Sequence, residues 1–152
     1  MEKDEIIEEE TTKKKIKPAT KRAGMTASAK KKTAVARAVI KKGTGKIKIN
    51  KMSLDAFASG HLKEMIMEPL RIAEDTTKEF DISVTVRGSG QMSQVTAVRS
   101  AIAKVIVRAK GKKYRELFLA YDRNLLVDDV RNVETKKPLG PKARARKQSS
   151  KR

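Results

Sequence analysis

Apolar and polar positions alternate over several short stretches and then switch to helical spacing, which predicts a mixed fold. Between Thr33 and Lys41, Val35, Arg37 and Val39 share one parity while Ala34, Ala36, Ala38 and Ile40 share the other. A strand there is small or apolar on both faces, with Arg37 as its one charged interruption. Lys46-Ile47-Lys48-Ile49-Asn50 alternates strictly. Gly43-Thr44-Gly45 between them has turn chemistry, so the two segments are expected to pair as a hairpin. Phe80, Ile82, Val84 and Val86 alternate with Asp81, Ser83, Thr85 and Arg87, the clearest half-buried strand in the chain, and Gly88-Ser89-Gly90 ends it.

Helical spacing appears in three places. Ser53 or Asp55 can cap a short helix, and Leu62, Met65, Ile66 and Leu70 follow at helical intervals until Pro69, which is expected to interrupt them. Val95, Val98, Ile102, Val105, Ile106 and Ala109 fall within an arc of ~100°. Ala97, Ser100, Ala101, Lys104 and Arg108 lie opposite, with Arg99 and Lys110 at the rim, and Gly111 closes the helix. Tyr114 to Tyr121 predicts a third. The order strand, strand, helix, strand, helix, helix gives an α+β fold, a two-layer α/β sandwich whose sheet carries helices on one face.

The apolar pattern also bounds the core. Of 33 Leu, Ile, Val and Phe residues, 29 lie between Thr33 and Thr135, so the centre can bury a core and the flanks cannot. Charge divides the chain at nearly the same points. Met1 to Thr12 carries six acids and one base. Lys13 to Lys32 carries nine bases and no acid, interrupted by Pro18 and Gly24, and is expected to form no core. Lys136 to Arg152 adds eight bases, no acid, and Pro138, Gly140 and Pro141. The organisation expected is an acidic then basic extension over 1–24, a globular domain over 25–135 and a basic tail over 136–152.

Composition narrows the chemistry. The 152 residues carry a formal charge of +19, with no Cys and a single His, His61. That removes disulfides, thiolate nucleophiles and zinc sites built on Cys or clustered His, and no cofactor or metal is expected. His61 reads as an exposed or capping side chain. Asp128 and Asp129 are adjacent and would point apart on regular structure, so a solvated turn suits them better than acid–base catalysis. Arg87-Gly88-Ser89-Gly90-Gln91 joins a strand to a helix without Walker or dinucleotide spacing, which leaves a structural turn or contact with an RNA backbone. No apolar run approaches the ~20 residues of a membrane span. The acidic, polar N-terminus does not resemble a signal peptide, so a cytoplasmic protein is expected.

Basic runs this dense stay extended until a polyanion neutralises them. Each phosphate contact releases counterions, with a salt slope of ~0.7 to 0.9 per contact. The arms lack the interleaved aromatic and apolar residues that enter lipid. There is no helix-turn-helix or zinc module for reading DNA sequence. Three Phe and two Tyr leave little for base stacking. Backbone and shape recognition of folded RNA remains. A chromatin-like DNA-packaging protein is the alternative, and an RNA-acting enzyme a further rival that lacks a catalytic constellation.

Four segments together resemble the family of the small-ribosomal-subunit protein conventionally numbered nine. They are Thr26 to Ala38, containing Lys30-Lys31-Lys32; Phe80 to Val107, containing Val86-Arg87-Gly88-Ser89-Gly90-Gln91; Asp122 to Asp128, in the archaeal form; and Lys136 to Arg146 with the ending Ser150-Lys151-Arg152. The likeness covers about residues 26 to 152. Ser89 and Ser93 stand where the family usually has a richer glycine turn, and Ala29 where it commonly has Gly. The resemblance implies an α+β domain with a left-handed β-α-β crossover. It implies a place in the head of the small subunit, among rRNA and neighbouring head proteins, with the tail running toward the peptidyl-site tRNA. No small-molecule substrate and no membrane partner is expected. Candidate rRNA contacts are Lys30, Lys31, Lys32, Arg37, Arg87, Gly88, Gln91, Arg99, Lys104 and Arg108, and in the tail Lys142, Arg144, Arg146 and Lys147. Ser150, Lys151 and Arg152 are the candidate tRNA contacts.

Overall fold

Helices cover one face of a five-stranded sheet in the computed structural model, which describes residues 24–74 and 78–145. The strands are β1 (Met25–Lys31), β2 (Ala34–Lys42), β3 (Ile47–Ile49), β4 (Met52–Ser53) and β5 (Phe80–Arg87). The helices are α1 (Leu54–Phe57), α2 (Gly60–Ile72), α3 (Gln91–Lys110) and α4 (Lys112–Tyr121), followed by a 3-10 turn at Arg123–Leu125. In space the strands run β1-β2-β5-β3-β4. The fold is α+β in two layers.

The expected hairpin between β2 and β3 does not form, because β5 lies between them, antiparallel to β2 and parallel to β3. Gly43-Thr44-Gly45 is instead the step over the start of β5. The Asp81 carboxylate accepts the N–H groups of Thr44 and Lys46, both at 2.9 Å, and the Gly43 N–H donates to Glu79 O at 2.9 Å. Gly43 is required there, since a Cβ would sit 2.1 Å from the Asp81 carboxyl carbon. β5 outcompetes β3 for β2 by length: eight register pairs join β2 to β5, whereas β3 offers three residues. The true hairpin lies one turn later. Ile49 pairs with Met52 across Asn50-Lys51, whose φ angles of +50° and +69° are those of a type I′ turn.

A second difference is β1. Within the Lys13–Lys32 stretch expected to form no core, Met25 to Lys31 pairs with β2, from Met25 opposite Ile40 to Lys31 opposite Ala34. Its buried residues are only Ala27 and Ala29, so a hydrophobic count misses it. They face Ala34, Ala36 and Ala38, fully buried on β2. This floor of methyl groups lets α3 lie close across β1 and β2.

α3 is more deeply enclosed than its apolar stripe predicts. Ala97, Ser100, Ala101 and Ala103 are buried along with Val95, Val98, Ile102, Val105 and Ile106, because the sheet lies on one side and α2 on another. Pro69 does not end α2, which continues to Ile72 with Ile66, Pro69 and Leu70 all buried. Packing against α3 outweighs the hydrogen bond that proline cannot make. Ser53 caps α1, its Oγ accepting from Ala56 N at 3.4 Å, and His61 is exposed near the start of α2.

Candidate nucleic-acid interface

Turn geometry gathers one group of candidate residues at an end of the sheet. The two-residue connection Lys32-Thr33, with Lys32 at φ +54°, joins β1 to β2 and abuts the Gly88 turn. A Cβ on Gly88 would meet the Thr33 carbonyl oxygen at 2.4 Å, and Gly88 holds φ +88°, so only glycine fits. Lys30, Val35 and Arg87 are register partners on adjacent strands. Gln94 Nε2 donates to Gly88 O at 3.1 Å, fixing the turn against the first turn of α3, which Gln91 opens. Lys30, Lys31, Lys32, Arg87, Gly88 and Gln91 therefore share one rim.

A second group is engaged within the chain. Arg99, whose side chain is 13% exposed, lies between Glu68 at 2.5 Å and Asp122 at 3.1 Å. Lys104 meets Asp128 at 2.6 Å and also donates to Ser28 O, while Arg108 donates to Thr26 O. These carbonyls belong to β1, the edge strand. Asp128 accepts the Lys30 N–H at 2.9 Å and the Asp129 N–H donates to Lys30 O at 3.2 Å. The free edge of β1 is thus closed by bases from α3 and by the segment after the 3-10 turn. This corrects the reading of Asp128-Asp129 as a solvated turn. The Asp129 side chain is 7% exposed and held by Arg131 at 2.8 Å and Lys31 at 3.2 Å, and Arg131, then Lys31, keep its carboxyl well below the usual carboxylate range.

A third group has no internal counter-ion. Among the described residues, Arg37 and Arg87 make no ion pair and no side-chain hydrogen bond, and both project from the sheet face opposite the helices. Lys41 and Lys48 stand on that face in the same condition. The sequence reading did not single them out, although strand parity places each with the polar set of its strand. Lys142 is likewise without an ion pair, whereas Arg144 and Lys137 reach Glu134 at 2.8 and 3.0 Å and hold its carboxyl below the ordinary value, Arg144 most strongly. The described tail, 136–145, contains no helix or strand and bends at Leu139, φ +66°. Arg146, Lys147, Ser150, Lys151 and Arg152 lie outside the described residues.

Among the described residues no cluster of His, Asp or Glu is arranged to hold a metal ion, and no helix is long and apolar enough to cross a membrane. Asp81, Asp122, Asp128, Asp129 and Glu134 are each occupied by backbone N–H groups or bases. What the arrangement offers chemically is cationic and hydroxyl donors on rigid strands, suited to gripping phosphate oxygens. A small α+β domain with unpaired bases on one sheet face and one rim has the layout of a polyanion-binding protein. A sequence model of the family described as Ribosomal protein S9/S16 matches residues 29–152. The chain belongs to that family of ribosomal proteins. It is 48% identical over 127 residues to the small ribosomal subunit protein uS9 of Thermoplasma acidophilum, covering 83% of this chain and 98% of the relative. It is 45% identical over 122 residues to that of Picrophilus torridus, covering 80% and 92%. Against the protein of the same name from Methanococcus maripaludis, the identity is 42% over 123 residues, covering 78% and 92%.

Proposed function

We infer that this chain is a structural constituent of the small ribosomal subunit in the cytoplasm, binding rRNA in the head and making no covalent chemistry of its own. The observation that carries this reading is the division of its bases. Those on α3 tie the domain together, while Arg37, Arg87 and Lys32 have no internal partner and face outward beside a turn whose backbone lies at the surface. The polyanion is ribosomal RNA, a reading that family membership supports, and neighbouring head proteins are the protein partners. Lys30 and Lys31, anchored to the segment after the 3-10 turn, hold the rim in place while Lys32, Arg87, Gly88 and Gln91 meet the RNA. Arg99, Lys104 and Arg108 contribute chiefly by positioning.

The tail divides the work further. Lys142, Arg144, Arg146 and Lys147 line a path through rRNA, and Ser150, Lys151 and Arg152 reach the peptidyl-site tRNA. Removing residues 150–152 is expected to weaken peptidyl-site tRNA binding to assembled subunits while leaving incorporation intact. Subunits carrying the truncated chain with an unchanged tRNA dissociation constant would refute the tRNA role. Failure of the full chain to sediment with small subunits after a high-salt wash would refute the ribosomal assignment, and preference for duplex DNA over rRNA fragments would favour the packaging alternative. Deletion of residues 1–24 should leave incorporation unchanged.

A further inference from the structure

The face of the sheet turned away from the helices carries no described covering element, and its chemistry is unlike that of the other surfaces. Strand register places Ser28, Arg37 and Thr85 in one row across β1, β2 and β5. Ser83 and Lys48 lie in the next row, and Lys41 stands beyond them opposite Asp81. All but Asp81 are exposed. Asp81, the single acid among these positions, is already engaged by the N–H groups of Thr44 and Lys46, which with the Lys46 charge hold its carboxyl below its ordinary value. No aromatic side chain stands on the face, since Phe80 has the parity of Ile82 and packs toward the core.

We propose that this face docks on the minor groove of double-stranded RNA; the proposal deepens the rRNA-binding reading and rests on it. Three of the unpaired bases on this face, Arg37, Lys41 and Lys48, form a triangle in which Ser83 lies between β2 and Lys48, while Ser28 and Thr85 flank Arg37 on either side. Arg37 and Lys41 are four residues apart on one strand, roughly 13 Å, and Lys48 stands two strands away, roughly 10 Å. That triangle reaches phosphates on both strands of a duplex, and the hydroxyls beside the bases meet ribose 2′-OH groups in the wide, shallow minor groove of A-form RNA. Single-stranded RNA is the poorer match, because splayed bases need stacking platforms and the face has none. Duplex DNA offers no 2′-OH to Ser28, Ser83 or Thr85.

The test uses the full chain and three probes of equal length: an RNA duplex of about 16 base pairs, a single-stranded RNA and a DNA duplex. Replacing R37Q, K41Q and K48Q together should weaken binding to duplex RNA about tenfold and lower the magnitude of its log–log salt slope by about 2, at ~0.7 to 0.9 per lost phosphate contact. Circular dichroism and melting temperature of the variant should match the parent. Replacing S28A, S83A and T85A should reduce the preference for RNA over DNA duplex severalfold with the slope unchanged. If the triple-Gln variant binds duplex RNA as the parent does, the face is overturned as an RNA surface. Retention in high-salt-washed subunits then still supports ribosomal membership and leaves the face to a neighbouring protein. Equal weakening of single-stranded and duplex RNA would overturn the duplex assignment. Loss of RNA binding by the parent itself would overturn both readings.

Discussion

Asn50 shows how much one side chain can do at the end of a short strand. Its N–H donates to Val84 O at 2.8 Å, its Oδ1 accepts from Val86 N at 2.9 Å and its Nδ2 donates to Val86 O at 3.1 Å. The amide side chain thereby continues the β3 side of the ladder after β3 has stopped. Asn also tolerates the left-handed conformation the turn requires. Asn50→Ala should cost about 2 kcal/mol, since both Val86 groups lose partners and alanine is strained at positive φ; a shifted urea midpoint with unchanged m-value checks it. Asp81, Asp129 and Glu134 make acid a second lever. Their folded pKa values lie below the unfolded ones, so their contribution is full above the unfolded values of about 4 and is lost as pH falls through the folded values. Melting temperature should drop on acidification below about pH 4, and less steeply in Asp81→Asn. Asn50 was legible only as a polar end to an alternating run, because nothing local in the sequence says which strand its amide will meet.

Among the elements, alternation identified β2, β3 and β5, and helical spacing identified α3 and α4, because each buries one face or stripe regardless of its neighbours. Pairing was not legible in the same way. A glycine turn between two alternating runs signals a hairpin, and here the longer β5 takes the place that β3 would have had. β1 escaped notice because its core-facing residues are alanines set among lysines, so its burial arises from the closeness of α3 and not from its own hydrophobicity. That closeness has a measurable consequence. Ala36 is fully buried in the middle of β2, so Ala36→Leu should overpack the interface and cost about 1–3 kcal/mol, read from the denaturant midpoint. α3 serves this interface twice, since Lys104 and Arg108 also occupy edge carbonyls of β1.

Over the whole molecule, the charge pattern made the class of partner legible before any coordinate. It did not reveal which bases face outward. Arg99, Lys104 and Arg108 are among the rRNA contacts that the family resemblance suggests, yet each finds a carboxylate or a strand carbonyl within the fold. Arg37 and Arg87 differ only in strand parity, and that parity sets them on an uncovered face. The bases of α3 engaged within the fold and the unpaired bases of β2 and β5 thus lie on the two layers of the sandwich. Substitutions on the helix-side set should act through stability, and those on the sheet-side set through RNA affinity and its salt dependence.

The position of β5 in the middle of the sheet also orders the birth of the protein. β2 and β3 both pair with a strand that begins at Phe80, 46 residues after β2 begins at Ala34, so synthesis of the other four strands leaves the centre of the sheet empty. Until Phe80 to Arg87 have emerged, an alanine-rich ribbon beside lysines waits with open hydrogen-bonding edges in a cell full of nucleic acid. Closure of the scaffold therefore comes late in translation, when a single segment joins both halves at once.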